Sequence, residues 1–207
     1  MKKIITVLIA ISMSVMFVAT ALADLNDGLV AHYPFEGNAN DVSGQGNNGS
    51  EYGGLTYVDG ILGQAASFDG VNDYVEVPHD YSLNVNGDSI TLSAWIKTSM
   101  IVSSPSWGGY IIGKGYDWHH QYSMWVNSSG KVYAIASYYA GGNYLIAESS
   151  IPVNDGQWHH IVGVLTDDGA DIYVDGILRG TDIIPEYSWN KDDSYSLKIW
   201  YSPLYVS

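Results

Sequence analysis

Two short stretches of the chain combine aromatic rings with polar side chains, the combination that binds sugars. They are "GYDWHHQY" and "SYYAGGNY", and both lie in or beside predicted loops. An aromatic ring packs against the CH surface of a pyranose, and polar neighbours hydrogen-bond to its hydroxyl groups. The candidate ligand-binding residues are Tyr116, Asp117, Trp118, His119, His120, Tyr138, Tyr139 and Asn143. The same aromatic residues could instead cap the edges of a β-sandwich.

A glycine-punctuated loop rich in oxygen donors, "FEGNANDVSGQGNNG" (residues 35–49), could hold calcium. Calcium takes about six to eight oxygen ligands from carboxylates, amides and carbonyls. Glu36, Asn38 and Asp41 are the candidate metal ligands. The loop lacks the residue order of an EF-hand. Asn, Asp and Gly also simply form turns, so the residues alone leave both interpretations open.

Two adjacent histidines head the stretch "WHHIVGVLTDDGADIYVDG". In a strand, His159 and His160 point to opposite faces, so they cannot chelate one ion together. "TDDGA" and the later Asp175-Gly176 pair predict tight turns. We therefore expect a three-strand meander in which the aspartates mostly form turns. The same kind of pattern in "FDGVNDYVEVPHD" predicts a structural hairpin.

The rest of the chain has the composition of strands and turns. It contains 23 Gly, 17 Tyr and 7 Trp, with few residues that favour helices. Twelve short alternating runs are separated by turn residues, which predicts one all-β domain, an antiparallel sandwich or jelly roll. Trp95, Trp125 and Trp158 lie within such runs and are predicted to be core residues. The runs are "GLVAHYPF", "AASFDG", "DYVEVPH", "SITLSAWIKTS", "YIIGKG", "QYSMWVN", "KVYAIASYY", "YLIAESS", "WHHIVGVLT", "ADIYVDG", "ILRGTD" and "SYSLKIW".

The first 23 residues have the pattern of a secretory signal peptide. Lys2 and Lys3 precede an apolar run that ends in the small residues Ala21-Leu22-Ala23. The run is shorter than the roughly 20 residues of a spanning helix, so no stable membrane insertion is expected after cleavage. We predict a signal peptide at 1–23 and one domain at 24–207. The mature protein would then be secreted, in the periplasm or outside the cell.

The net charge limits the classes of partner. The chain has 22 acidic and 8 basic residues, a formal charge of −14 that becomes more negative when the signal is removed. Such a charge repels nucleic acid and anionic membranes but permits neutral sugars, cationic partners and calcium. With no cysteine in the sequence, disulfides and thiolate metal sites are excluded.

Several motifs in order resemble the LamG-like jelly-roll family of the concanavalin A-like lectin and glucanase superfamily. They are "GLVAHYPFEGNANDVSGQGNNGS", "AASFDGVNDYVEVPH", "ITLSAWIKT", "DGQWHHIVGVL" and "IYVDGIL". The resemblance implies a two-sheet antiparallel sandwich that serves as an extracellular recognition or adhesion module. It also implies that the loop at residues 35–49 helps to hold calcium, with Glu36 at a usual acidic position.

One departure from the family concerns the last strand. Members commonly close with a strand of the type "G-x-I-D-x-V-R-I-Y", whereas this sequence ends at "SYSLKIWYSPLYVS". Either "SPLYVS" replaces that strand, or the strand is lacking and leaves an open sheet edge near "KIWYSPLYVS" that invites another chain.

The resemblance also allows an enzyme, but the residues argue against it. Glucanases of the superfamily place their carboxyl groups in an E-x-D-x-E pattern, which is absent here, as are other hydrolase motifs. We expect a non-catalytic module that binds a polysaccharide or a glycoprotein glycan. An adhesion module that binds a cell-surface protein, and a glycosidase or lyase, are the alternatives.

Overall fold

The computed structural model describes residues 27–85, 89–99, 109–116, 119–137, 144–183, 194–200 and 203–206. For residues 116, 119, 120, 137, 200 and 203–206, only the backbone is described. None of the helices in these ranges is long and apolar enough to cross a membrane.

Fourteen strands and one short helical turn make up the described chain. The helical turn spans Tyr81–Leu83. The strands are β1 (Ser50–Tyr52), β2 (Thr56–Asp59), β3 (Gln64–Asp69), β4 (Tyr74–Val77), β5 (Ser89–Lys97), β6 (Gly109–Tyr116), β7 (His119–Val126), β8 (Lys131–Ser137), β9 (Tyr144–Pro152), β10 (Trp158–Thr166), β11 (Gly169–Val174), β12 (Ile177–Ile183), β13 (Leu197–Trp200) and β14 (Pro203–Val206).

The strands form two seven-stranded antiparallel sheets. Sheet I has the order β1-β4-β13-β6-β7-β8-β9, and sheet II has the order β12-β11-β10-β5-β14-β3-β2. The inner faces of both sheets supply the apolar core, which includes Val75, Ile96, Met124, Ile161 and Ile172. The prediction of an all-β, two-sheet antiparallel sandwich of jelly-roll type is confirmed.

The two sheets pack closely where β10 crosses β7 and β8. A Cβ atom added at Gly163 would lie 2.9 Å from the Cβ of Ala134 and 3.1 Å from the sulfur of Met124. This space is too small for another carbon atom, so glycine is needed at this crossing.

The predicted meander is confirmed. β10 pairs with β11, and β11 pairs with β12. Asp175 (φ 53°) and Gly176 (φ 75°) both adopt the left-handed conformation in the turn between β11 and β12, as a two-residue type I′ turn requires.

The predicted hairpin at "FDGVNDYVEVPHD" is wrong, because β3 belongs to sheet II and β4 to sheet I. The turn between them is a corner that carries the chain from one sheet to the other. Asp69 Oδ1 accepts from the Val71 amide at 2.8 Å, and Asp73 Oδ2 accepts from the Asp69 amide at 3.0 Å. The aspartates therefore do form the turn, but the strands they join are not paired.

No strand forms over Gly28–Phe35, where "GLVAHYPF" predicted one. Backbone and side-chain groups of this segment form hydrogen bonds instead with the loop that follows it. The Val42 amide donates to the His32 carbonyl at 2.9 Å, and the Tyr33 hydroxyl donates to the Asn47 carbonyl at 2.7 Å.

The position of the last strand is filled from within the chain. β14 pairs with β3 on one side and β5 on the other, and β13 lies between β4 and β6. Pro203–Val206 therefore form a strand inside sheet II. β13 and β14 are not edge strands among the described residues, since β1, β9, β12 and β2 lie at the edges.

Candidate binding face and the acidic loop

The outer face of sheet I carries a row of aromatic side chains that crosses its strands. Tyr110, Trp125 and Tyr133 are direct cross-strand partners on β6, β7 and β8. Tyr52 and Tyr74 pair in the same way on β1 and β4. We name these five residues the aromatic row. Strands lie about 4.8 Å apart, so the row extends roughly 24 Å across the sheet.

The rings of the row stack on one another rather than on the core. The ring centroids of Trp125 and Tyr133 are 4.9 Å apart, and those of Tyr110 and Trp125 are 6.2 Å apart. Tyr52 and Tyr74 stack at 4.6 Å with nearly parallel planes. The side chains are only half-buried, or exposed in the case of Tyr52, so apolar ring surface faces solvent.

Polar groups border the row at its β8–β9 end. Glu148 on β9 lies directly opposite Tyr133 and pairs with Lys131 at 3.2 Å. The Asn127 amide donates to the Tyr133 hydroxyl at 3.3 Å. Aromatic surface next to amide and charged groups is the chemistry that sugar hydroxyls and CH surfaces require.

The row also corrects a prediction about the tryptophans. Trp95, Trp125 and Trp158 are half-buried and lie outside the core. Alternation places them there, because Met124 and Val126, the neighbours of Trp125, both point inward. The same alternation around Tyr133 could have revealed the row from the sequence.

The strand ends that flank the predicted ligand-binding residues, called tips below, lie at one end of sheet I. Tyr116 pairs with His119 at the β6–β7 tip, and Ser137 pairs with Tyr144 at the β8–β9 tip. β7 and β8 are adjacent, so the two tips lie side by side. The side chains of Tyr116, His119 and His120, and all of Asp117, Trp118, Tyr138, Tyr139 and Asn143, lie outside the described residues. These assignments stay predictions.

In the loop at residues 35–49, named the acidic loop here, the carboxylate of Asp41 accepts hydrogen bonds from several backbone amides. Its Oδ1 accepts from the amides of His32 (2.9 Å) and Ser43 (2.8 Å). Its Oδ2 accepts from the Ser43 hydroxyl (2.8 Å) and the Asn47 amide (2.9 Å). Burial would raise the pKa of Asp41, but these hydrogen bonds lower it below the usual value.

The other two candidate metal ligands point to different partners. Glu36 Oε1 accepts from the Gln64 amide at 3.2 Å, and Asn38 Oδ1 accepts from the Asn40 amide at 2.9 Å. Within the described ranges, no three carboxylate or histidine side chains are grouped so that they could hold a metal ion. Asn38 and Asp41 thus accept hydrogen bonds mainly from within the loop, whereas Glu36 bonds to the first residue of β3. Calcium binding stays a prediction.

The two histidines of β10 have separate roles on opposite faces, as predicted. The ring of His159 lies between Asp175 (2.8 Å) and Asp155 (3.2 Å), one carboxylate at each nitrogen. Burial would lower the pKa of His159, but the hydrogen bonds from the ring to the two carboxylates raise it overall. His160 packs on Trp95 and hydrogen-bonds to the Ser93 hydroxyl through Nε2 at 2.9 Å.

A serine beside a histidine can act as a nucleophile, but only with a third group that orients the imidazole. Among the described side chains, no carboxylate hydrogen-bonds to the ring of His160. We therefore assign the Ser93–His160 pair to cross-strand packing in sheet II.

Comparisons with known structures find the same fold in binding domains of toxins and in a domain solved with arabinotriose. The binding domain of Paraclostridial Mosquitocidal Protein 1 is 16% identical, with a TM-score of 0.73 over 88% of this chain and 48% of that one. Domain 4 of AbnA, an extracellular arabinanase of Geobacillus stearothermophilus solved with arabinotriose, is 17% identical, with a TM-score of 0.55 over 86% of this chain and 91% of that one.

A botulinum neurotoxin type C structure, described in terms of cell entry that depends on two ganglioside molecules, is 16% identical, with a TM-score of 0.69 over 90% of this chain and 48% of that one. This chain thus spans about half the length of the two toxin chains. No curated protein matches the sequence. A family model described as the concanavalin A-like lectin/glucanases superfamily matches residues 69–203, more than half of the sequence. The chain therefore belongs to the concanavalin A-like lectin/glucanase superfamily.

Proposed function

We propose that this protein is a non-catalytic recognition module that binds a polysaccharide or a glycoprotein glycan on the outer face of sheet I. The aromatic row is the observation that carries the proposal. It presents ring surface in two groups, on β1 and β4 and on β6, β7 and β8, with β13 between them, and an extended sugar chain could lie across these strands.

The polar rim supports the same function. Asn127 and the Lys131–Glu148 pair lie where the hydroxyl groups of a bound sugar would need hydrogen-bond partners. Lys131 and Glu148 are on strands, and Asn127 is held in the β7–β8 turn, where its backbone amide donates to the Lys131 carbonyl at 2.8 Å. A preorganised site loses less entropy when a ligand binds.

The predicted ligand-binding residues at 116–120 and 138–143 are the second part of the proposed site. The strand ends that flank them lie side by side at one end of the sheet, whereas Trp125 and Tyr133 lie toward the β7–β8 turn at the other end. The proposed ligand therefore crosses the sheet at the row, and a longer glycan would also reach the tips. The related folds solved with arabinotriose or described with gangliosides support a glycan as ligand.

The proposal also includes an environment outside the cytoplasm, after removal of residues 1–23. Calcium would stabilise the loop at residues 35–49 rather than contact the glycan. An adhesion module that binds a protein is the alternative function, and a glycosidase or lyase of the same superfamily is the second alternative.

A glycan panel with two matched tryptophan variants tests the proposal. Trp125→Ala should abolish retention on any glycan that the wild-type chain binds, because stacking is worth about 1–3 kcal/mol per ring. Trp158→Ala is the control, since this residue is also half-buried and strand-borne but lies on sheet II. Equal binding by the two variants, or no binding of wild type to any glycan, would refute the proposed site.

A further inference from the structure

A lysine and a glutamate form an ion pair at the β4–β13 part of the aromatic row. Lys198 Nζ is 3.9 Å from Glu76 Oε1, which also accepts from the Ser196 hydroxyl at 2.8 Å. The ammonium group lies 5.4 Å from the centroid of the Tyr74 ring. Glu76 follows Tyr74 by two residues on β4, so both side chains point to the outer face of sheet I. The stacked rings of Tyr52 and Tyr74 therefore have charged groups beside them.

Both parts of the row carry the same set of groups. At the β8–β9 end, the Lys131–Glu148 pair lies beside Tyr133, as the Lys198–Glu76 pair lies beside the rings on β1 and β4. Each pair uses only Oε1 of its glutamate. Among the described residues, no hydrogen bond or ion pair involves Oε2 of Glu76 or Glu148. Each part of the row therefore offers ring surface, an ammonium donor and a carboxylate oxygen that is available as an acceptor.

The two ion pairs lie on opposite sides of the row. Lys198 is opposite Gly113 of β6, and Gly113 lies between Tyr110 of the row and the tips. Lys131 is the first residue of β8, so it lies on the side of the row that faces the β7–β8 turn. An extended glycan packs its ring faces on aromatic side chains and carries hydroxyl groups along both edges. A glycan lying along the row would therefore bring hydroxyl groups to both ion pairs.

The charges of these pairs select against a charged ligand. The two lysines and two glutamates have formal charges that cancel. An anionic sugar that binds one of the ammonium groups would lie beside the glutamate of the same pair, and contact between like charges opposes binding. A cationic sugar would meet the lysine in the same way. The hydroxyl groups of a neutral sugar can donate to the carboxylate and accept from the ammonium group, so a neutral sugar satisfies both.

We propose that the aromatic row binds an uncharged, extended glycan of about six sugar residues, held by one ion pair on each side. This inference rests on the proposed function and narrows its ligand to a chemical class. The length follows from the sheet, because the row crosses β1, β4, β13, β6, β7 and β8. One sugar residue of an extended chain is about as long as the spacing of about 4.8 Å between strands, so one residue lies over each strand.

Neutral and charged hexasaccharides test the charge of the ligand. The neutral probes are hexasaccharides of glucose, mannose, galactose, xylose and arabinose, and the charged probes are the uronic acid hexasaccharides of the first three sugars. In titration calorimetry, at least one neutral probe should bind, and every charged probe should bind roughly tenfold or more weakly than the best neutral one. The affinity for that neutral probe should be the same at low and high salt, because it carries no charge to be screened.

Two variants and a shorter probe test the ion pair at β4 and β13. Glu76→Gln should weaken binding of the best neutral hexasaccharide about tenfold, because a charge-assisted hydrogen bond is lost. Lys198→Met should also weaken it, whereas an anionic ligand would bind Glu76→Gln more tightly than wild type. Asp59→Asn is the control, since it removes the same charge from sheet II. The trisaccharide of the same sugar should bind roughly tenfold or more weakly, since it cannot reach both ion pairs.

The outcomes separate this inference from the proposed function. If a uronic acid probe binds as tightly as the best neutral one, or if Glu76→Gln strengthens binding, only the inference fails. It also fails alone if the trisaccharide matches the hexasaccharide, if Asp59→Asn has the same effect as Glu76→Gln, or if the protein is retained on a panel glycan but binds no probe. If wild type binds neither a probe nor any glycan of the panel, the proposed function fails as well. Cooperative thermal unfolding of each variant confirms that the measured protein is folded.

Discussion

The imidazole Nδ1 of His159 lies 2.8 Å from Oδ2 of Asp175, whose other oxygen accepts the backbone amide of His160 at 2.9 Å. Asp155 contacts the second ring nitrogen at 3.2 Å. When both ring nitrogens carry protons, each can donate to one carboxylate, so the cluster favours the imidazolium form of His159. This cluster joins β10 to the turn after β11.

The cluster predicts a pH window for stability. The raised pKa of His159 means that its contribution is complete below about pH 6.5 and is lost as pH rises through the folded-state pKa. The Gln157 amide and then the imidazole lower the pKa of Asp155. Burial would raise the pKa of Asp175, but hydrogen bonds from His159 and the His160 amide lower it overall. The contribution of these aspartates is present above about pH 4 and is lost as pH falls through their folded-state pKa values.

We expect His159→Gln to lower the midpoint of thermal unfolding most at about pH 5.5, and less at pH 8. Melting curves of wild type and variant between pH 4 and 8 measure this difference. His32→Gln is the matched control, because His32 is exposed. A difference that does not change with pH would show that His159 is held as a neutral ring.

Asp41→Asn should destabilise the acidic loop. The amide nitrogen that replaces one oxygen faces hydrogen-bond donors, so at least one donor loses its acceptor. We expect the free energy of unfolding to fall by about 1–3 kcal/mol in chemical denaturation. Asp59→Asn is the control, since Asp59 is an exposed strand residue. If the free energy of unfolding falls no more than in the control, the Asp41 carboxylate does not stabilise this loop.

Calcium binding can be tested with the wild-type protein and the Asp41→Asn variant. A ligand that binds only the folded state at about 100 times its Kd adds about 2.7 kcal/mol. If the loop holds calcium, thermal unfolding of wild type should shift upward with calcium relative to chelator, and Asp41→Asn should lose the shift. If calcium leaves the unfolding transition of wild type unchanged, the loop does not bind calcium.

Ser149→Ala tests the hydrogen bonds that a serine side chain makes at an irregular position of sheet I. The register of β8 and β9 shifts between Lys131 and Tyr133, which leaves the ladder irregular. There the Ser149 hydroxyl accepts from the Val132 amide at 2.9 Å and donates to the Ile151 carbonyl at 2.7 Å. Loss of the hydroxyl leaves a buried amide unpaired, so we expect a cost of about 1–3 kcal/mol. Ser150→Ala is the exposed neighbouring control, and an equal effect of the two changes would contradict this role.

Gly163→Val should be among the most damaging substitutions in the core. The added carbons would overlap Ala134 and Met124 on the facing sheet. Overpacking of this kind costs about 1–3 kcal/mol or more. The double variant Gly163→Val with Met124→Ala should recover part of the loss in denaturant titrations. No recovery would indicate that the backbone, rather than the packing, requires glycine.

Local patterns predicted most of the strands, and long-range pairing explains the errors. The β10–β12 meander followed from its own turn residues, because Asp175-Gly176 specifies its turn regardless of context. The segment from Asp69 to Val77 has the same local pattern as a hairpin, and only the partners β13 and β14, far away in sequence, distribute its two strands over different sheets.

The candidate site was predicted less well than the fold. Trp125 was assigned to the core because it lies inside an apolar strand, although alternation with Met124 and Val126 turns it outward. The oxygen donors of Glu36, Asn38 and Asp41 were recognised as a cluster, but sequence spacing does not show which backbone amides they accept. Composition therefore identifies candidate functional side chains, but the strand pairing and turns of the folded chain decide which of them lie close together.

β13 and β14 both insert between strands that precede them by a long stretch of sequence, Pro203 beside Asp69 and Leu197 beside Val77. Neither sheet can be completed from neighbouring hairpins alone, so closing the sandwich requires large loops to form first. We expect slow folding with a transition state in which β6 to β12 are paired and the β3–β14 ladder is not. A sandwich closed in this way gains its two sheets together, and its early folding intermediates expose the sides of β3 and β4 that β14 and β13 cover in the native protein.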